Sequence, residues 1–217
     1  MALLAAKLLL SYLLGSIMGG LVVGRLRGGV DIRELGSGNA GGTNALRTQG
    51  KAFALWVMLI DLGKALVAVL LVAPASAAAL GADPLPPDAT ALACGAAAVV
   101  GHVWPVYFGF RGGKGAATLL GTLAATQAIA LGPVLLVFAI SFTLSGFVGI
   151  STVLATWSVP LYALLATERG AGDPLFLFGI AMGTFITWTH RSNLARLRAG
   201  TENRFEQAML FRRRGGG

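Results

Sequence analysis

The apolar stretch AFALWVMLIDLGKALVAVLLVA, residues 52–73, contains two charged side chains and is long enough to cross a lipid bilayer. Because polar backbone groups in lipid must be paired within the chain, this stretch predicts a membrane-spanning α-helix. The whole sequence has 217 residues, of which 55% are hydrophobic and 12% are charged. Soluble domains carry about 25% charged residues, so the composition predicts an all-α, polytopic membrane protein.

Six further apolar stretches flank this one, which gives seven candidate transmembrane helices. They occupy residues 3–23, 52–73, 90–109, 116–132, 134–149, 151–167 and 174–190. We expect Gly132 and Pro133 to separate the fourth helix from the fifth, and the small-residue segment at 145–151 to separate the fifth from the sixth. No internal repeat is visible, so residues 1–217 are expected to form one membrane domain, with residues 212–217 as a disordered tail.

Basic residues are unevenly distributed between the segments that connect these helices. Segments 24–51, 110–115 and 191–217 contain nearly all the arginines outside the spans, whereas the intervening loops contain only Arg169. Because positively charged short loops stay in the cytoplasm, this pattern predicts an outside N-terminus and a cytoplasmic C-terminus. The topology also explains the net charge of +8, which requires no nucleic-acid partner.

The first of these cytoplasmic segments, residues 24–51, is rich in glycine and in small polar residues. Glycine allows close backbone approach and turns, and the polar side chains supply hydrogen-bonding groups. A turn-rich connector with ordinary cytoplasmic charge explains the segment equally well. The candidate binding residues here are Ser37, Asn39, Thr43, Asn44 and Arg47.

The second segment, GHVWPVYFGFRGGKGAAT at residues 101–118, places positive charge among glycines at the start of an apolar run. It does not match the nucleotide-binding pattern G-x-x-x-x-G-K-[ST], because glycine follows the lysine. Glycine amides at a helix start, together with a lysine, nevertheless make a ready anion site. Interface anchoring by the charges is the alternative, and it leaves the glycines unexplained. The candidate anion-binding residues are Arg111, Gly112, Gly113, Lys114, Gly115 and Thr118, and His102 is expected to make a structural hydrogen bond.

The third segment, THRSNLARLRAGTENRF at residues 189–205, follows the last apolar run. On a helix, His190, Asn193 and Arg196 share one stripe, and leucines lie on another face. An amphipathic surface helix explains the leucines but gives no reason for the histidine and asparagine. Glu202 is expected to pair with an arginine and fix the position of the tail.

Asp61 and Lys64 lie three residues apart within the second span, where they can neutralise each other. An ionisable pair inside a bilayer is costly, so a functional role is as well supported as a structural one.

Taken in order, DIRELGSGNAGGTNALRTQG, DLGK, GHVWPVYFGFRGGKGAAT and HRSNLARLRAGTENRF closely resemble the motifs of the bacterial acyl-phosphate glycerol-3-phosphate acyltransferases, the PlsY family. The departures are Gly42 for a usual alanine, Arg111 for a lysine, Met18 for a proline, and an altered ending at Asn203 and Arg204. The resemblance implies transfer of a fatty acyl group from acyl phosphate to the 1-hydroxyl of glycerol 3-phosphate. Lysophosphatidic acid (1-acylglycerol 3-phosphate) and phosphate would be the products, in phospholipid biosynthesis.

The resemblance also implies roles for the motif residues in a multi-pass protein of the bacterial inner membrane, with its active site facing the cytoplasm. Its partners would be acyl phosphate, glycerol 3-phosphate and membrane lipids. The resemblance implies no metal or other cofactor, and the oligomeric state is not predicted. The implied roles are catalytic for His190, Lys114, Ser37 and Asn193; substrate-binding for Asn39, Thr43, Asn44, Arg47, Arg111, Gly112, Gly113, Gly115, Thr118 and Glu202; and supporting for Asp61, Lys64 and His102.

An acyl phosphate is an activated anhydride, so the glycerol hydroxyl can attack it directly without a covalent enzyme intermediate. Two anions must then be held together, which explains the demand for several cations and amide donors. The acceptor of the hydroxyl proton is either His190 or a phosphate oxygen of the acyl donor. A transporter or channel for a phosphorylated small molecule, and a lipid-binding scaffold, are the competing classes. The concentration of polar motifs on one face favours an enzyme.

Overall fold

In the computed structural model, which describes residues 1–210, all the regular elements are helices. This confirms the all-α prediction for that part of the chain, whereas the tail predicted at 212–217 lies outside the described residues. The chain forms two compact units, Met1–Ala128 and Ile129–Gly217. Both units are built from apolar helices joined by short turns or polar loops.

Six α-helices form the first unit. They are α1 (Ala2–Gly15), α2 (Gly19–Leu26), α3 (Gly42–Gln49), α4 (Lys51–Val67), α5 (Pro87–Val103) and α6 (Ala116–Thr126), with short 3-10 turns at Ile32–Glu34, Ala78–Leu80 and Val106–Phe108. A π-helical turn, Ala68–Val72, extends α4.

Glycines let α1 and α5 approach closely. A Cβ atom at Gly15 would overlap the Ala98 carbonyl, and one at Gly101 would overlap the Tyr12 carbonyl. Apolar side chains gain little by leaving lipid, so small residues at a helix interface stabilise it through close backbone packing. This contact fixes the C-terminal end of α5, from which the second polar segment begins.

Up to residue 210, the second unit contains four α-helices: α7 (Leu131–Ser145), α8 (Val148–Ala166), α9 (Pro174–Thr189) and α10 (Arg191–Arg198). Gly179 of α9 faces the Pro160 ring of α8, and Gly183 faces the Trp157 ring. The polar segment after α10 returns to the turn between α7 and α8. There the Phe205 amide donates to the Gly146 carbonyl at 2.8 Å, and the Arg204 side chain donates to the Ser145 carbonyl at 3.0 Å.

Each of the seven predicted spans corresponds to helical structure, but the helices differ in length. Among the described residues, four helical segments are long and apolar enough to cross a membrane: Lys51–Val72, Pro87–Phe108, Ala128–Ser145 and Val148–Ala166. Helices α1 and α2 form a pair bent by 44° that counts as a fifth span if it is taken as one. Helix α6 has 11 residues and α9 has 16, which at 1.5 Å per residue is less than the roughly 30 Å of a bilayer core. The number of seven spans and the orientation of the termini therefore stay predictions.

The sequence-based break between the fourth and fifth spans is wrong in position. Helix α6 ends at Thr126, and α7 begins at Leu131, so Gly132 and Pro133 lie in the first turn of α7. Proline is tolerated there because the first amides of a helix have no intrahelical acceptor. The break within residues 145–151 is confirmed, since Gly146 ends α7 in the left-handed conformation, with φ of 75°.

Candidate functional site

The glycine-rich segment before α3 is organised around the side chain of Asn44. Its amide group donates to the carbonyls of Ile32 at 2.8 Å and Leu35 at 3.0 Å, and its oxygen accepts from the Ser37 amide at 2.9 Å and hydroxyl at 3.2 Å. Asn44 is only 2% exposed. A carboxamide offers two donors and one two-lone-pair acceptor, so these bonds use its full capacity. Asn44 thereby presents Ser37, which is exposed, at the tip of the segment.

Arg33, which the sequence pattern does not distinguish from the other basic residues, joins this segment to the second polar segment. The guanidinium of Arg33 contacts both carboxylate oxygens of Asp31 and also donates to the carbonyls of Phe108 and Arg111, each at 3.1 Å. The side-chain hydrogen bonds from Arg33 lower the pKa of Asp31 below its usual value. Because the carbonyl acceptors are 75 and 78 positions away, only tertiary structure could identify Arg33 as a connector.

The second polar segment turns back on the end of α5 before it enters α6. The Gly113 amide donates to the His102 carbonyl at 3.0 Å, and the Gly112 amide donates to the Val103 carbonyl at 3.2 Å. These two amides, predicted to bind an anion, therefore close the turn instead. The amides at the start of α6 are instead the candidate donors to an anion, since the first amides of a helix have no intrahelical acceptor.

The start of α6 has two further features of an anion site. Gly115 precedes the helix in the left-handed conformation, with φ of 90°, which is strained for residues that carry a Cβ. Thr118, in the first turn, is fully buried, and its hydroxyl has no hydrogen-bond partner in the part of the chain that the structure describes. A buried hydroxyl without a partner is costly, so its position beside Lys114 and the helix start favours a ligand there.

Beneath this turn, α4 and α5 contribute a buried polar triad of Asp61, Lys64 and His102, which are 1%, 6% and 3% exposed. The Lys64 ammonium lies 3.0 Å from Asp61 Oδ1 and 2.9 Å from His102 Nδ1. The pairing of Asp61 with Lys64 and a hydrogen bond for His102 agree with the sequence-based expectation, whereas their joining in one cluster was not predicted.

The triad also holds the bend between α1 and α2. The Gly19 amide donates to Asp61 Oδ1 at 3.1 Å, and Lys64 donates to the Ile17 carbonyl at 2.8 Å. A helix break leaves backbone groups unpaired, and these side chains satisfy two of them. The triad is thus a junction between α4, α5 and the first helix pair.

His190 ends α9 in the second unit and is 5% exposed. Its Nδ1 lies 2.8 Å from the Ile186 carbonyl oxygen and 3.3 Å from the Thr189 hydroxyl. A carbonyl oxygen can only accept, so neutral His190 carries its proton on Nδ1 and its lone pair on Nε2. This tautomer suits a proton acceptor at Nε2.

The prediction that Glu202 pairs with an arginine is confirmed. Its carboxylate accepts from Arg196 Nε at 2.7 Å and from the Asn193 amide group at 2.7 Å. Gly149 of α8 lies beneath Asn193, where a Cβ atom would approach the asparagine side chain to 2.8 Å. Glu202 therefore orients Asn193, and a substrate-binding role for Glu202 stays a prediction.

The predicted site residues divide between the two units. The first unit holds the residues of the two glycine-rich segments and of the triad, including Thr43 and Arg47 on α3 and Asn39, whose side chain accepts from the Gly41 amide at 3.0 Å. The second unit holds His190, Asn193 and Glu202. Within residues 1–210, no group of three His, Cys, Asp or Glu side chains is arranged to hold a metal ion.

Comparison with known proteins identifies relatives of the chain. A glycerol-3-phosphate acyltransferase family model matches residues 5–200. The glycerol-3-phosphate acyltransferase of Chlorobaculum tepidum is 38% identical over 220 residues, which cover 92% of this chain and 95% of the relative. That of Synechococcus sp. strain CC9902 is 40% identical over 198 residues, with coverage of 91% and 92%.

The fold is similar to that of crystal structures of PlsY, an integral membrane glycerol 3-phosphate acyltransferase, in its glycerol 3-phosphate form and its lysophosphatidic acid form. Each has a TM-score of 0.78 and 34% sequence identity, and the match covers 93% of this chain and 95% of the other. The family match extends through both units and includes the polar segments up to the end of α10. The chain therefore belongs to the glycerol-3-phosphate acyltransferase family.

Proposed function

We propose that this protein transfers a fatty acyl group from acyl phosphate to the 1-hydroxyl of glycerol 3-phosphate at the cytoplasmic face of a bacterial inner membrane. Acyl transfer to glycerol 3-phosphate is the activity for which its family is named. The donor, the products lysophosphatidic acid and phosphate, and the location are the proposed part.

One observation carries the proposal: Arg33 joins two polar segments that each suit an anion. One segment presents Ser37 and leads into α3 with Arg47, and the other leads through Lys114 into the amides of α6. A reaction between glycerol 3-phosphate and acyl phosphate needs two phosphate groups held close together against their repulsion. Two adjacent anion-binding segments meet that need.

Each proposed role follows from the chemistry of its residue. Ser37 and Arg47 hold glycerol 3-phosphate, and Thr43 and Asn39 support that segment. Asn193, in the second unit, keeps its role as a substrate residue as a separate proposal. Lys114 and the start of α6 hold the phosphate of the donor, with Arg111 and Thr118 beside them. Charge-assisted hydrogen bonds of this kind are shorter and roughly twice as strong as neutral ones.

In the proposed reaction, the glycerol oxygen attacks the carbonyl carbon of acyl phosphate, and the bond from that carbon to the phosphate oxygen breaks. The departing phosphate takes the electron pair of that bond, and its growing charge is stabilised by Lys114 and the amides of α6. The hydroxyl proton passes to Nε2 of His190, whose tautomer leaves the lone pair on that atom. Direct transfer to a phosphate oxygen is the alternative route for this proton.

The experiment that tests the donor uses purified protein in liposomes with glycerol 3-phosphate. Acyl phosphate, acyl-CoA and acyl carrier protein are offered separately, and lysophosphatidic acid and phosphate are measured. We expect product from acyl phosphate alone. Equal rates with acyl-CoA would contradict the proposed donor, and accumulation of labelled glycerol 3-phosphate inside sealed liposomes without any acyl donor would support a transporter.

The proposed orientation is tested by single cysteines in a Cys94→Ala background. Arg27→Cys and Arg198→Cys should resist an impermeant thiol reagent in intact cells, whereas Ser76→Cys, at an exposed position of the loop before α5, should react. Asp83 in the same loop is unsuitable as a reporter because it pairs with the buried Lys7. Labelling at position 27 or 198 from outside would contradict the orientation.

A further inference from the structure

Residues 201–210, the C-terminal strap, run from the end of α10 to the turn between α7 and α8. Helix α7 ends at Ser145, and the last carbonyls of a helix have no intrahelical donor. The strap supplies donors at this end of α7: the Leu210 amide to the Thr143 carbonyl at 3.1 Å, Arg204 Nε to the Ser145 carbonyl at 3.0 Å, and the Phe205 amide to the Gly146 carbonyl at 2.8 Å. The strap is therefore a cap for α7 that a distant part of the chain provides.

The side chains of the strap also fit closely against the turn. The guanidinium of Arg204 lies 5.3 Å from the centre of the Phe147 ring, a distance at which a cation is attracted to the ring. Its positive charge is favourable at the C-terminal end of α7, where the helix dipole is negative. A Cβ atom on Gly146 would lie 2.9 Å from Arg204 Cγ and 3.1 Å from Met209 Sδ. The strap therefore occupies one defined position on the turn, with Arg204 as its main anchor.

Glu202, near the start of the strap, has a side chain that is only 4% exposed. Its carboxylate accepts from Asn193 Nδ2 and from Arg196 Nε, each at 2.7 Å. An ionised carboxylate can only accept, so the nitrogen of the Asn193 carboxamide faces Glu202 and its oxygen faces elsewhere. Asn193 also lies on Gly149 in the first turn of α8, where a Cβ atom would be 2.8 Å from Asn193 Cβ. Glu202 thereby fixes the orientation in which α10 presents this carboxamide.

One short stretch, residues 145–149, contacts both Arg204 and Asn193, and a single residue separates Arg204 from Glu202. We propose that Arg204 is a positioning residue, which anchors the strap so that Glu202 holds Asn193 in its substrate-binding orientation. The proposal rests on the proposed role of Asn193 as a substrate residue and deepens it by assigning glycerol 3-phosphate to that residue. A neutral carboxamide suits hydroxyl groups, which only glycerol 3-phosphate has among the two proposed substrates.

Steady-state kinetics of the purified protein in liposomes test the role of Arg204. Arg204→Met removes the anchor, and the control Arg198→Met removes the same charge from an exposed position of α10. We expect a roughly tenfold higher KM for glycerol 3-phosphate in Arg204→Met, the scale of one lost hydrogen bond to a charged group, and an unchanged KM for acyl phosphate. Arg204→Lys, which keeps the charge but not the flat guanidinium, should give an intermediate value. Equal effects of Arg204→Met and Arg198→Met would overturn the proposal.

A double-mutant cycle separates positioning from general support of the fold. Asn193→Ala and Arg204→Met are measured singly and combined, because residues that act through one another show non-additive effects. If Arg204 acts through Asn193, Arg204→Met should raise the KM little further in the Asn193→Ala background. A full additional rise in the double variant would overturn the proposal. Wild-type kinetics in Asn193→Ala would instead contradict the substrate role on which the proposal rests.

Solid-state NMR of the protein in lipid bilayers measures the position of Asn193 without any substrate. The chain contains four asparagines, so labelling of asparagine with 15N gives four side-chain amide signals, and Asn193→Ala assigns that of Asn193. Glu202→Gln should shift this signal, because the amide loses a charged acceptor. Arg204→Met should shift it in the same direction and leave the Asn44 signal, which reports the fold of the first unit, in place. An Asn193 signal that stays at its wild-type position in Arg204→Met would overturn the proposal.

Discussion

Substitution of Gly113 by alanine adds one methyl group to the turn and changes no charge. The backbone of Gly113 is outside the left-handed region, so strain in φ is not the reason that glycine is required there. The methyl carbon would instead overlap the imidazole of His102, a ring held by Lys64 within a buried cluster. Either the ring or the turn must move, and the hydrogen bond between the Gly113 amide and the His102 carbonyl resists the movement.

The size of the effect follows from the rigidity of these neighbours. Insertion of a methyl group into a packed site costs about 1–3 kcal/mol. For a chain of this length, that destabilisation lowers Tm by roughly 2–12 °C. Displacement of the turn by about 1 Å would misplace the amides that we propose to bind phosphate, which can reduce turnover about a hundredfold. Gly113→Ala should therefore lose far more activity than stability.

The assay compares three purified alanine variants in liposomes for Tm and for initial rate of acyl transfer. Gly63→Ala places its methyl in open space within α4 and should keep wild-type activity, with a gain of about 0.5–1 kcal/mol from helix propensity. Gly95→Ala places its methyl against the Thr122 side chain, away from the turn, and should lower Tm with little change in the KM for either substrate. Only Gly113→Ala should combine a moderate loss of Tm with a large loss of rate.

A folded Gly113→Ala protein with a rate within a fewfold of wild type would refute this reasoning. Such a result would show that the turn accommodates a side chain, so that charge at Arg111 and Lys114 serves as a membrane-interface anchor. A rate loss in Gly95→Ala as large as in Gly113→Ala would refute it in another way, since general destabilisation would then explain both.

Four further variants test other parts of the structure. Asn44→Ala removes the bonds to Ile32, Leu35 and Ser37 and should lower stability by about 1–3 kcal/mol, measured as Tm, and abolish most acyl transfer. Glu202→Gln weakens the charged hydrogen bonds to Asn193 and Arg196, at a cost of about 1.5–3 kcal/mol, and unchanged Tm would contradict the pairing. His190→Gln should bind both substrates but lose about a hundredfold in single-turnover rate; an unchanged rate would assign the proton to the substrate. Arg33 holds the pKa of Asp31 below its usual value, so the stabilisation is present above about pH 4 and is lost as pH falls through the lowered pKa. The Tm difference between wild type and Asp31→Asn should therefore narrow as the pH is lowered from neutrality, and a difference that does not change with pH would contradict the ion pair.

Much of the fold follows from local sequence. Apolar stretches predict helices because lipid offers the backbone no hydrogen-bond partners, and each predicted span indeed contains helical structure. The proline at 133 misled the placement of one boundary, since proline is compatible with the first turn of a helix as well as with a break. Helix length was also harder to predict, because a short helix such as α6 and a full span have similar composition.

The sequence by itself determined the membrane class, the helical segments, the polar segments between them and the family to which these belong. Only the tertiary structure decided the partners within the site: that Lys64 contacts His102 across 38 positions, that Arg33 joins two loops, and that Gly113 makes room for a histidine ring. Hydropathy and periodicity depend on neighbours within a few residues, so they reveal which face of a helix is apolar. Hydrogen-bond partners depend instead on which segments pack together. The turn folds back onto α5, and the amides of Gly112 and Gly113 therefore donate to carbonyls of that helix.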